Sequence, residues 1–197
     1  MKKSGTITLV VVIGVIVIIA GWVMGAYNSL VSNEEAVNSA WSQVENVYQR
    51  RSDLIPNLVA TVKGYAEHES STLEGVVEAR SKATAVNVDP SNLSPEAIAK
   101  FQQAQGELSS ALGRLMMIKE AYPDLKANEN FKDLQAQLEG TENRIATERK
   151  RYNEEARNFN VTVRRFPNNI IANMFNFRTK GYFESEEGAN KAPKVEF

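Results

Sequence analysis

"YQRRSDLIPNLVATVKGYAEHE", residues 48–69, decides how many helices the chain has. It holds paired arginines, an aspartate, a proline among apolar residues, and the only histidine. An interior proline kinks or breaks a helix because it lacks an N–H and its ring meets the carbonyl four residues back. Arg50 and Arg51 suit a helix C-terminus, Ser52 or Asp53 suits an N-cap, and Pro56 then falls in a new first turn. These residues predict a helix junction at Arg51, Ser52, Asp53 and Pro56. Against a break, Tyr48, Ile55 and Val62 stay in one heptad phase, as in a single kinked helix. Lengths favour the break. It gives helices of roughly 25, 30, 28 and 38 residues, able to stack as a four-helix bundle. A continuous helix of ~87 Å would outrun its two long partners.

The surrounding sequence carries sustained heptads. Trp41, Tyr48, Ile55, Val62, Val76 and Ala83 hold one frame. Phe101, Leu108, Leu115 and Tyr122 hold a second, and Phe131, Leu138, Ile145, Tyr152, Phe159 and Phe166 a third. Such patterns make left-handed bundles. Ser94 with Pro95 opens one helix, Asn128 or Asn130 caps the next, and Pro167 stops the last. The expected fold is all-α: an N-terminal transmembrane helix followed by an antiparallel, coiled-coil-like four-helix bundle. The alternative is one long kinked helix through Pro56 plus two long helices.

The N-terminus sets the compartment. Residues 4–33 carry no charge, and "ITLVVVIGVIVIIAGWVMGA", residues 7–26, is about the length that crosses a bilayer. A cleavable signal peptide is the rival reading, but the apolar run is long for one. Trp22 and Tyr27 stand where interfacial aromatics would sit. Lys2 and Lys3 precede the run, and Glu34 and Glu35 follow it. The positive-inside rule places the N-terminus in the cytoplasm and the bundle outside it. Domain limits follow: 1–5 cytoplasmic tail, 6–27 transmembrane helix, 28–166 bundle, 167–197 capping or docking tail.

The chemistry is sparse. A net charge of −1 gives no global attraction for nucleic acid. With no cysteine, disulfides, thiolate metal sites and cysteine nucleophiles are excluded. A di-metal bundle site needs two Glu-x-x-His pairs, and one histidine cannot supply them. No phosphate-binding glycine loop or nucleophile elbow is present. The expectation is a non-enzymatic protein with no cofactor and no catalytic or metal-binding residue. Polar residues interrupt the apolar frames at Arg51, Glu69, Thr72 and Glu148. With His68 they form a candidate polar layer that would set register or subunit number; the plainer reading is a solvated edge. The segment after Pro167 adds Ile170, Ile171, Met174, Phe175, Phe177, Phe183 and Phe197 as a candidate interaction tail. It caps the bundle, docks on a neighbour or lies on the bilayer surface.

These residues carry a family resemblance. The segment from Tyr27 to Arg80, with Ala40-Trp41, residues 53–58, Lys63 to Tyr65 and His68-Glu69 in order, resembles the core of the LemA family. "RRFPNNIIANMFNF" and "GYFESEEGANKAPKVEF" resemble its C-terminal part. The resemblance implies a bacterial membrane protein with a short N-terminal tail, one transmembrane helix and a helical bundle. It implies no catalytic residues. The combined expectation is a self-associating scaffold or adaptor, a homo-oligomer at the inner membrane. A monomeric module offering a groove or tail to another envelope protein is the alternative.

Overall fold

The computed structural model describes residues 2–184, with side chains described from Ile7 onward. It is helical, with no strand among the described residues. α1 runs Lys2–Lys63, α2 Ser70–Ala85, α3 Pro95–Met117, α4 Pro123–Ala127, α5 Glu129–Arg164 and α6 Asn168–Met174. A long apolar helix therefore leads into a packed helical domain, as the composition and heptads imply.

The junction expected at Arg51, Ser52, Asp53 and Pro56 is not there. α1 passes through Pro56 without a break. Two physical facts outweigh the local signals. Tyr48, Ile55 and Val62 all bury on one stripe, so apolar packing holds the phase across the proline. Pro56 also frees the carbonyl of Ser52, four residues back. Arg80 of α2 takes up that carbonyl, its Nε donating to Ser52 O at 2.9 Å and to Ser52 Oγ at 3.1 Å. The chain instead reverses after Lys63, through Gly64, Tyr65 and a 3₁₀ turn at Glu67–Glu69.

The bundle keeps its four members with this junction moved: the lower part of α1, then α2, α3 and α5. Cross-chain pairs show the antiparallel order. On α1 and α5, Asn33 meets Thr162, Trp41 meets Tyr152 and Arg51 meets Glu142, and just past α1 Tyr65 meets Asn128, the N-cap of α5, so the numbers fall on one helix as they rise on the other. α2 pairs Arg80 with Ser52 and Ala83 with Gln105. Just past α3, Lys119 in the 3₁₀ turn Ile118–Glu120 donates to Gln135 of α5.

Caps explain the remaining boundaries. Ser94 Oγ accepts from Ala97 N at 3.3 Å, with Pro95 in the first turn of α3. Asn128 Oδ1 accepts from Phe131 N at 2.9 Å at the start of α5. The core divides in two. One cluster joins Trp41, Tyr48, Phe101, Tyr152, Phe159 and Phe183; the other joins Ile55, Leu58, Val76, Leu108, Leu115 and Phe131. Phe166 continues the heptad of α5 in sequence but lies past the helix end and is 76% exposed. Outside the bundle, residues 7–22 face no protein core. α1 contains the one helical segment, among the described residues, long and apolar enough to cross a membrane.

Candidate functional site

Between the two apolar clusters lies a polar layer. Arg51, one turn past Tyr48, is 1% exposed. Its Nη1 donates to Ser109 Oγ at 2.8 Å and Glu142 Oε1 at 2.9 Å. Its Nη2 donates to Gln105 Oε1 at 2.6 Å and Gln105 O at 3.3 Å. The guanidinium also lies 5.0 Å from the centre of the Tyr48 ring. Gln105 Nε2 reaches Ala83 O at 3.4 Å. Adjacent to Arg51, Ser52 receives Arg80. One level thus ties α1, α2, α3 and α5 together. A buried charge is tolerated when paired and hydrogen-bonded, and Glu142, 45% exposed, supplies the countercharge from the solvent side.

Nearer the apolar run of α1, residues 180–184 are held by three side-chain amides. Asn160 Nδ2 donates to Lys180 O and Asn160 Oδ1 accepts from Lys180 N, both at 2.8 Å. Asn153 does the same for Phe183, at 2.8 and 2.9 Å, and Gln102 for Glu184, at 3.0 Å each way. Each carboxamide thus satisfies both backbone groups of one tail residue, as a neighbouring strand would. Gly181 N donates to Leu93 O at 2.8 Å. A Cβ on Gly181 would lie 2.7 Å from Pro95 Cα, so only glycine fits. Tyr152 OH donates to Gly181 O at 3.1 Å; burial first, then nearby Tyr182, push its hydroxyl well above the usual phenol range. Phe183 enters the core, stacked on Trp41 at 6.0 Å and edge-on to Tyr152 at 5.4 Å. Lys180 Nζ closes the clasp on Glu34 of α1 at 2.7 Å.

A cleft of ≈ 880 Å³ opens between α3 and α5 beside this tail. Arg51, Gln105, Ser109, Glu142, Arg149 and Tyr182 line it. Among the described residues no group of three or more His, Asp or Glu side chains is placed to hold a metal ion. What the geometry supplies is a polar, hydrogen-bonding wall and a peptide-holding seam.

The LemA family model matches residues 40–197. The chain belongs to the LemA family. The match takes in both the Arg51 layer and the amides that hold the tail. The chain is also similar to magnetosome protein MamQ 2 of Paramagnetospirillum magneticum, 29% identical over 201 residues covering 93% of this chain and 73% of that protein. Magnetosome protein MamQ of Magnetospirillum gryphiswaldense is 27% identical over 210 residues, 97% and 77% of the two chains. Protein LemA of Metamycoplasma hominis is 25% identical over 164 residues, 83% and 71%.

In this LemA-family chain the candidate polar residues do not form one group. Arg51 sits in the buried layer. His68 is exposed and Glu69 half-buried at the far end, where Tyr122 OH donates to Glu69 Oε1 at 3.2 Å. Thr72 is half-buried on α2. Glu148 is half-buried on α5, 3.9 Å from Arg151. The tail residues also divide. Ile171 and Phe183 are buried and Phe177 packs on the core, while Ile170, Met174 and Phe175 are exposed. Phe197 lies outside the described residues. Sequence reasoning missed Arg80, Gln105, Ser109, Gln102, Asn153 and Asn160. The spacing of Asn153 and Asn160, seven apart and each following a buried aromatic, was a readable sign of a shared polar face.

Proposed function

We propose that this protein is a membrane-anchored, non-enzymatic scaffold or adaptor of the bacterial cell envelope that self-assembles into a homo-oligomer. Residues 6–27 cross the inner membrane with the N-terminus in the cytoplasm, and the bundle lies outside. The observation that carries the reading is the continuity of α1: one helix contains both the exposed apolar run and the central strut of the bundle. No flexible linker separates anchor from domain. A bundle held this way stands at one height above the bilayer, so copies in the plane of the membrane meet at matching levels. Weak lateral contacts between copies then add by multivalency. Both terminal nitrogens of Arg51 are engaged by Ser109, Glu142 and Gln105, as in a structural joint. Mass photometry of the full-length protein in lipid nanodiscs tests the proposal. Discrete multimers are expected; a monomer at every protein concentration refutes self-assembly.

The cleft beside the tail favours a second reading, a monomeric module that binds another envelope protein. The segment 180–184 is built into the fold, so the groove, with Arg51, Arg149 and Tyr182 on its wall, is the surface such a module would offer. A stoichiometric complex with a monomeric LemA-family chain would favour that reading over the scaffold.

A further inference from the structure

The end of the bundle from which the apolar run emerges carries a surface that neither the core nor the tail clasp uses. On α6, Ile171 and Ala172 are buried against the upper core. Ile170 and Met174, four residues apart, form the opposite side and are exposed, Met174 at 68%. Phe166 just before α6 and Phe175 just after it are exposed as well. Four large apolar side chains therefore crowd one end of the molecule.

The height of this surface can be read from α1. Ala26 is buried in the bundle core and Val23 packs against it, although both belong to the apolar run 7–26. Tyr27 meets the Phe175 ring at 4.8 Å and the Phe177 ring at 5.8 Å, both edge-on. The bundle thus overlaps the last turn of the apolar run. With a rise of about 1.5 Å per residue, Val23 and Tyr27 are separated by about 6 Å along the helix. If the run spans the bilayer, α6 lies at the level of its headgroups, alongside Trp22 and Tyr27.

Charge agrees. Arg164, Arg165 and Arg178 are exposed around α6. The sequence has no acidic residue between Glu155 and Glu184. On α1 the nearest acids are Glu34, which is tied to Lys180, and Glu35, which is exposed two turns beyond Tyr27. Folding removes Lys180 to an ion pair and brings in the two arginines that end α5.

We propose that this end of the bundle docks on an anionic lipid surface, with Phe166, Ile170, Met174 and Phe175 at the headgroup–acyl boundary and Arg164, Arg165 and Arg178 on lipid phosphates. Apolar side chains flanked by arginines suit that boundary, because burial of the first and attraction of the second act together. The proposal rests on the reading of α1 as a membrane anchor. Its consequence is orientational. A single helix leaves the bundle free to tilt, whereas a second contact beside it fixes which face looks outward.

The chain has no cysteine, so one introduced thiol gives one labelled position. The full-length protein is labelled with an environment-sensitive fluorophore at Val17→Cys, Met174→Cys or Met117→Cys, all three positions being exposed. Each is placed at one copy per nanodisc, in phosphatidylcholine alone or with phosphatidylglycerol, and quenched by nitroxide-bearing lipids. The label at 17 is expected to respond to deep nitroxides and the label at 174 to shallow ones. The label at 117, at the far end of α3, is expected to respond to neither. Quenching at 174 is expected to rise with phosphatidylglycerol and to lose that rise in Arg164→Glu/Arg165→Glu. A label at 174 that behaves like the one at 117, while 17 reports hydrocarbon, overturns the docking surface alone. A label at 174 shielded from water yet not quenched by lipid overturns it too, since protein would cover the face. No response at 17 overturns the anchor itself.

Discussion

Arg80 and Pro56 are expected to be coupled although they lie on different helices. Pro56 removes the amide that would otherwise bond Ser52 O. Arg80 Nε occupies that carbonyl at 2.9 Å, and Ser52 is buried. Arg80→Met keeps much of the side chain's length and removes its donors. The lost charge-assisted bond is worth about 1.5–3 kcal/mol, and the abandoned carbonyl adds to the upper part of that range. A chain of this size shifts by roughly 2–4 °C per kcal/mol, so about 2 kcal/mol lowers the midpoint by about 4–8 °C. In a Pro56→Ala background the new amide reaches Ser52 O, and Arg80→Met then removes only the bond to Ser52 Oγ. The coupling across the four proteins is expected to be about 1–2 kcal/mol, as for groups sharing one partner. Heat unfolding of the full chain in detergent, followed through the buried Trp41, measures it. An equal loss in both backgrounds refutes the account of how α1 tolerates its proline.

Two further substitutions test the other contacts. Gly181→Ala forces a Cβ against the backbone of Pro95 and is expected to cost about 1–3 kcal/mol; the amides of Lys180 and Phe183 then exchange faster with deuterated solvent, whereas Gly75→Ala, which meets open space, leaves them protected. Arg51→Ala empties the centre of a buried polar layer and leaves Gln105 and Ser109 without their donor, an expected cost of about 2–5 kcal/mol; Glu142→Gln takes the countercharge from the buried guanidinium but keeps an acceptor oxygen at a half-exposed position, an expected cost of about 1–3 kcal/mol; chemical denaturation that ranks them the other way refutes the burial argument.

The stripes of the bundle were legible because burial on one face imposes a period that each helix writes for itself. Trp41, Tyr48, Ile55 and Val62 on α1 and Phe131, Leu138, Ile145, Tyr152 and Phe159 on α5 are buried in the frames that the sequence shows. Caps were legible for the same reason: Ser94 and Asn128 act within three residues of themselves. The course of the chain at Pro56 was not, because the group that offsets the missing amide is 28 residues away on another helix. Locally the arginines, Ser52 and Asp53 read as a terminus and a cap. The position of the tail was hidden likewise. Phe183 is visibly apolar, but its seat depends on Asn153, Asn160, Gln102 and the glycine gap at 181, drawn from three segments. Phe166 misled in the opposite direction, since a heptad can outlast the helix that gives it meaning.

The Arg51 layer also bears on why this bundle takes one register. Heptad packing alone is nearly indifferent to a slip of seven residues, because apolar positions replace apolar positions. The layer is not. Sliding α3 by one heptad sets Ile98 or Leu112 in the place of Gln105, and Arg51 loses its Nη2 acceptors at a buried position. Sliding α5 sets Gln135 or Arg149 in the place of Glu142, which removes the countercharge or replaces it with a like charge. An unpaired buried guanidinium costs several kcal/mol, comparable with the whole stability of a small domain. Since Ser52 beside it fixes α2 through Arg80, the same two residues of α1 hold all three partner helices at one level. That places the most specific joint of the bundle within the polar stretch that, by sequence, looked like the end of a helix.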